Sequence, residues 1–168
     1  LDRFWWKNHG LATDCADVAY SARWIFARNN GLPMANRLAS GQWFTQDSVK
    51  PEWAALPTAR DWDKDQRFLA ALNYMLDFVF THTLWNDSYP VAITPASLLP
   101  GSHHLSLSSR SGHTQFVYRV GTQPDEIPVV TLNSTVPRGV RELSEYIFFN
   151  VEADPASSAL LRMRWPEV

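Results

Sequence analysis

The stretch His113-Thr114-Gln115-Phe116-Val117-Tyr118-Arg119-Val120 alternates along its length. Thr114, Phe116, Tyr118 and Val120 fall on one side, and Gln115, Val117 and Arg119 on the other, which is the period of a β-strand. Outward from it, the same period-two signal recurs at 105–108, 127–133, 145–151 and 160–165. Turn formers such as Pro100-Gly101 and Thr122-Gln123-Pro124-Asp125 separate these runs.

Toward the N-terminus the period lengthens. Cys15, Val18, Ala19, Ala22, Ile25 and Phe26 recur at the three-and-four spacing of one helical face and predict a helix over 14–29. Thr13 or Asp14 can cap it, and Asp17 stands where the acidic partner of a capping box belongs. Asn29-Asn30-Gly31 followed by Leu32-Pro33 is a helix stop. A second helix is predicted over 63–81 from the stripe Phe68, Leu69, Leu72, Met75, Leu76 and Val79. Residues 34–62, broken by Gly41, Pro51 and Pro57, show no period. Helices early and strands late predict an α+β fold, with N-terminal helices packed on a C-terminal antiparallel β-sheet.

Composition narrows the function classes. The chain has 168 residues, 45% of them hydrophobic, enough for one domain with a real core. Fifteen Lys and Arg stand against 17 Asp and Glu, so no strongly basic face is available for nucleic acid. No apolar run approaches the ~20 residues of a membrane span. The single cysteine excludes an internal disulfide and a cysteine-rich zinc site. The chain opens on Leu1 rather than Met, which reads as a processed or trimmed chain. Eight tryptophans suit either large core residues or a groove that stacks flat or sugar-like ligands. The neighbours His103 and His104 face opposite ways in a strand and do not converge on one metal. No phosphate-cradling glycine loop or dinucleotide fingerprint occurs, and no cofactor is expected. Arg138, Arg141, Arg162 and Arg164 give the C-terminal half a basic tint, read as a solvated face.

Three residues carry candidate chemistry. Cys15 falls in the first turn of the first helix, where unpaired N–H groups and the helix dipole favour a thiolate, while Asp14 and Asp17 oppose it. The alternative is a small buried cysteine that packs like alanine. His113 opens the clearest strand after Ser111-Gly112 and can point off the sheet end toward that helix tip, as a base for the thiol. The alternative is an ordinary surface histidine. Asn133 ends the next strand at a level where its amide can hold the far ring nitrogen, unless it only caps the strand end. Asp125 is a weaker substitute. The Cys15 N–H is a candidate oxyanion donor, with Asn8, His9 and Asp14 as neighbouring candidates for the oxyanion or substrate side.

The order of these residues resembles the papain-like cysteine hydrolase superfamily. Asp14-Cys15-Ala16-Asp17-Val18-Ala19-Tyr20, running on to Arg28-Asn29-Asn30-Gly31-Leu32-Pro33, resembles the cysteine helix of transglutaminase-like proteins. Leu99-Pro100-Gly101 and Gly112-His113-Thr114 resemble the turn and the histidine strand of NlpC-like cell-wall peptidases. The resemblance implies a papain-like fold and gives Cys15, His113 and Asn133 the roles of nucleophile, base and orienter. Where the NlpC-like pattern has an acid after Pro-Gly, this chain has Ser102. The long separation of Cys15 and His113 makes 34–97 an expected helical insertion in a single domain.

The expected function is therefore a cysteine hydrolase acting on amide bonds, a peptidase or amidase, with bacterial cell-wall peptide as the substrate class. A transglutaminase-like deamidase or acyl-transferase on proteins is the variant. A non-catalytic module holding a peptide or glycan in a tryptophan-rich groove is the rival. The expected setting is secreted or periplasmic rather than cytoplasmic.

Overall fold

The computed structural model describes residues 1–126, 129–147 and 158–166. A short helix α1 (Trp5–Asn8) and a two-residue strand β1 (Ala12–Thr13) lead into α2 (Cys15–Asn29). Asp14 starts α2 from an extended backbone. Its carboxylate accepts from the N–H groups of Ala16 and Asp17, at 3.0 and 3.2 Å, while the Asp17 carboxylate accepts from the Asp14 N–H at 2.9 Å. This is the acidic capping box predicted from the sequence. The helix ends at Asn30, and Gly31 takes the positive φ of 63° that the exit turn requires. One helix flank is buried, and several of its polar side chains find partners there. The Tyr20 hydroxyl donates to Asp87 at 2.8 Å, and the Trp24 indole donates to Asn36 at 2.7 Å.

The aperiodic region holds a small antiparallel hairpin of β2 (Ala35–Arg37) and β3 (Trp43–Thr45), then α3 (Pro51–Ala54). The helix predicted over 63–81 is divided. A single 3-10 turn (Trp62–Lys64) precedes α4 (Gln66–Asp77), and α5 (Thr81–Asn86) follows. Asp65 sets the start of α4 by accepting from the Phe68 N–H at 3.0 Å. The break before α5 comes from Thr83, whose hydroxyl bonds both the N–H and the carbonyl of Phe80 and so competes with continued helix.

A six-stranded antiparallel sheet follows. Its strands are β4 (Ser88–Pro90), β5 (His103–Leu107), β6 (Gly112–Val120), β7 (Val129–Asn133), β9 (Ser144–Ile147) and β10 (Ser158–Met163), in the order β4-β10-β5-β6-β7-β9. Strand β8 (Gly139–Val140) pairs instead with β1. The predicted strand positions 127–128 and 148–151 lie outside the described residues. The β6–β7 register slips between Val117 and Arg119.

One face of the sheet, through Leu105, Phe116, Leu132 and Leu161, shares a core with Val18, Ala19 and Trp24 of α2. The other face carries a smaller cluster of Val117, Val129 and Leu160. The architecture is α+β, as expected. The expected helical insertion at 34–97 differs in character from what is found. It contributes β4 to the main sheet, the hairpin β2–β3, and Leu72, Met75, Leu76 and Leu84 to the principal core. Residues that bury their apolar side chains in a shared core belong to the body of the domain rather than to a cap upon it. Among the described residues no helix is long and apolar enough to cross a membrane.

Candidate active site

Cys15 occupies the first position of α2 and is 7% exposed. Its thiol donates to the Gly112 carbonyl at 3.9 Å, and the Thr114 N–H points at the sulfur. The β6–β7 ladder ends at the pair Phe116–Leu132, so this edge of β6 lies beyond the last strand partner. The sulfur takes up that edge and sits beside the backbone of His113. Thr13 fixes the approach from the other side, with its hydroxyl on Ser134 at 3.2 Å and its carbonyl accepting from Ser134 at 3.0 Å.

The His113 Nε2 lies 2.8 Å from the Asn133 Oδ1. Asn133 is buried, and its amide nitrogen donates to the Thr131 hydroxyl at 3.3 Å, which assigns oxygen to the side facing the imidazole. An acceptor at Nε2 places the ring proton there and leaves the lone pair at Nδ1. Nδ1 is the ring nitrogen nearer its own backbone, the same backbone that Cys15 contacts. The thiol and the imidazole are not hydrogen-bonded to each other. The thiol is committed to Gly112 and the ring to Asn133. His113 is exposed, on the sheet face away from α2, whereas Cys15 arrives from α2 at the sheet end.

Electrostatics hold the cysteine neutral. Burial pushes the Cys15 thiol up from its ordinary value, and the Asp14 charge adds to this. The N–H groups of Thr114, Ala16 and Cys15 itself pull the other way. Two residues on, Asp17 is fully buried and its carboxyl is pushed up to about 7, chiefly by burial and then by Asp14. Arg138 answers it, with Nε 3.2 Å from the Asp17 carboxylate. The same guanidinium bonds the Ala12 carbonyl at 3.1 Å, Asn73 at 2.8 Å and Asp77. Arg138 thus ties the tip of the cysteine helix to β1 and α4. It is therefore a tethered cation and not the solvated charge expected of this stretch, and its partners lie far away in the chain.

The other candidates have partners of their own. Asp14 is consumed by the cap, so its carboxylate faces the helix and not a substrate. His9 lies in an aromatic cluster between Trp5 and Trp62, its Nδ1 on the Trp5 carbonyl at 2.8 Å. Asn8 is exposed at the end of α1, and Asp125 is exposed in the turn before β7. The N–H of Cys15 is not used by the cap, whose bonds go to Ala16 and Asp17. A cleft of about 390 Å³ opens at the imidazole, with Gln115, Asn133, Arg141, Ser144 and Tyr146 around it. Half of the tryptophans (Trp6, Trp24, Trp53 and Trp62) are buried in the core rather than lining a groove. No group of metal-ligating side chains occurs among the described residues.

Comparison of the chain with protein-family models, with curated proteins and with solved structures finds no match.

Proposed function

We propose that the protein is a cysteine hydrolase of amide bonds, with Cys15 as nucleophile, His113 as base and Asn133 as its orienter. The observation that carries the reading is the His113–Asn133 bond. It presents the free Nδ1 on the short stretch of β6 whose backbone holds the Cys15 sulfur.

In this mechanism Nδ1 takes the thiol proton, and the imidazolium offsets the burial and the Asp14 charge that otherwise keep the thiol neutral. The thiolate attacks the carbonyl carbon, and the Cys15 N–H donates to the oxyanion. The imidazolium returns its proton to the leaving amine. Water then attacks the thioester with His113 again acting as base, releasing the acid and restoring the thiol. A cell-wall peptide is the proposed substrate class. The polar surroundings of the imidazole, from Gln115, Ser144, Tyr146 and Arg141, suit a peptide rich in polar amides and carboxylates. Transfer of the acyl group to an amine uses the same acyl-enzyme.

The raised thiol favours the rival, a non-catalytic peptide- or glycan-binding module. Iodoacetamide alkylation of Cys15 across pH separates the two. The hydrolase gives an inflection well below the ~8.5 of a free thiol, and His113→Ala moves it upward. An inflection above that value, unchanged in His113→Ala, overturns the catalytic reading and leaves the binding module.

A further inference from the structure

The bonds between the Cys15 sulfur and β6 are too weak to place it. A thiol is a poor donor, and this one reaches the Gly112 carbonyl at 3.9 Å, while the Thr114 N–H points at the sulfur. The approach to α2 is held instead by the segment from Ser134 to Val140. The Thr13 hydroxyl lies on Ser134 at 3.2 Å, the Thr13 carbonyl accepts from Ser134 at 3.0 Å, and β8 pairs with β1 through Ala12–Val140 and Thr13–Gly139. That segment begins directly after Asn133, whose amide holds the His113 ring at 2.8 Å. One stretch of chain thus has the orienter of His113 at its start and the anchors of the cysteine helix further along.

Within this segment, Arg138 sends its side chain to α2. Its Nε lies 3.2 Å from the Asp17 carboxylate and donates to the Ala12 carbonyl at 3.1 Å. These two partners flank Cys15 in the chain, one before β1 turns into the helix and one within its first turn. The terminal nitrogens go to α4, one to Asp77 and the other to Asn73 at 2.8 Å. The planar fork is therefore filled from two sides, by the neighbours of Cys15 and by α4. A fork held in this way fixes distances as well as charge, which a lysine ammonium on its flexible stem does not.

The arrangement is poorly suited to stabilising the fold. Asp17 is fully buried, and among the described residues its Oδ1 has no hydrogen-bond partner. The Arg138 charge pulls the Asp17 carboxyl down, yet burial and the Asp14 charge outweigh it and leave the pKa at about 7. A buried ion pair with incomplete hydrogen bonding adds little net stability over an apolar replacement, and its best-attested use is to fix register. At the outer end of the guanidinium the Asp77 side chain is 57% exposed, where an ion pair adds little more. What the arrangement does supply is a fixed spacing between the tip of α2 and the chain that follows Asn133.

We propose that Arg138 is a positioning residue for the cysteine chemistry, its guanidinium setting the tip of α2, and with it the Cys15 sulfur, at the β6 edge beside the His113–Asn133 pair. The inference rests on the reading of Cys15 as nucleophile and His113 as base for its effect on reactivity, and not for its effect on where the sulfur lies. It also gives α4 a part in the site, through Asn73 and Asp77, which brace the guanidinium from behind.

Arg138→Lys keeps the charge and removes the fork, and two readouts on the folded variant test the proposal. One is the NMR resonance of the Thr114 amide, which faces the sulfur. The other is the pH inflection of Cys15 alkylation by iodoacetamide. In Arg138→Lys the Thr114 resonance should move toward its position in Cys15→Ala, which lacks the sulfur, and the inflection should rise by about one pH unit as the thiol loses its place beside the imidazole. A lower melting temperature with both readouts as in wild type is the result of a merely structural tie and overturns the proposal. So does a moved resonance with an unchanged inflection, where the wild-type inflection is low. If Arg138→Lys does not fold, Asp77→Asn removes only the outer partner of the guanidinium. It should move both readouts the same way by less, and no movement there overturns the proposal. A wild-type inflection above that of a free thiol removes the catalytic reading by itself, and the Thr114 resonance then still decides whether Arg138 places the sulfur.

Discussion

The imidazole of His113 and the amide of Asn133 stand 2.8 Å apart on adjacent strands, one exposed and the other buried. A buried acceptor with its own donor committed to Thr131 offers His113 a single orientation and a single tautomer. Asn133→Ala should leave the fold intact and release the ring. Amide hydrolysis should fall by about 10²-fold, the lower end of what a positioned base supplies. Asn133→Asp should retain more activity and shift the alkylation inflection of Cys15, because a carboxylate stabilises the imidazolium. Equal turnover in wild type and Asn133→Ala would remove Asn133 from the mechanism.

Asp14 has two opposed effects, capping α2 and disfavouring a thiolate next to it. Asn caps a helix about as well as Asp. Asp14→Asn should therefore cost less than about 1 kcal/mol in urea unfolding while moving the alkylation inflection of Cys15 to lower pH. An upward shift would show that Asp14 does not govern the thiol.

The buried Asp17 carboxyl has its pKa raised to about 7, against an ordinary 3.8. Between those values the folded chain holds a proton that the unfolded chain has lost. This group's contribution therefore makes stability fall as pH rises from about 4 to about 7. Asp17→Asn should remove that fall, so the stability difference between variant and wild type should swing toward the variant across this window. The swing is bounded by ~1.4 kcal/mol per pKa unit. Urea unfolding at pH 4.5 and 7.5 measures it, and a difference that stays constant would place the carboxyl in the normal range.

His103 is fully buried, with Nε2 on the Ser88 hydroxyl at 3.2 Å and, among the described residues, no hydrogen-bond partner for Nδ1. Burial lowers its pKa to about 3 from the ordinary 6.5. The unfolded chain then takes up a proton that the folded chain refuses, so stability is lost as pH falls from about 6.5 toward 3. His103→Gln should make that acid limb shallower, at some cost in stability near neutrality from repacking. An unchanged acid limb in thermal melts between pH 4 and 7 would show that His103 is not its source.

The cysteine helix was legible because its signals are local. The spacing of Val18, Ala19 and Ile25, the Asp14–Asp17 box and the Asn30-Gly31 exit all lie within a few residues of one another. The alternation from His113 to Val120 was legible for the same reason. The division of 63–81 into α4 and α5 was not, because the apolar stripe continues to Val79 while a hydroxyl bond at Thr83 sets the break. Helix propensity carries no record of that competition. Arg138 was illegible as a tie for the cysteine helix because its partners Asp17, Asn73 and Asp77 are distant in sequence.

Local periodicity and capping chemistry by themselves determined that a cysteine begins a helix, that a histidine opens a strand and that helices precede an antiparallel sheet. Tertiary structure alone decided which backbone the sulfur meets, which nitrogen of His113 is left free and where the arginines go. Those outcomes depend on strand register and on packing between segments as far apart as Arg23 and Arg164, 141 positions. A one-residue change of register would turn His113 to the other face of the sheet without altering any local pattern.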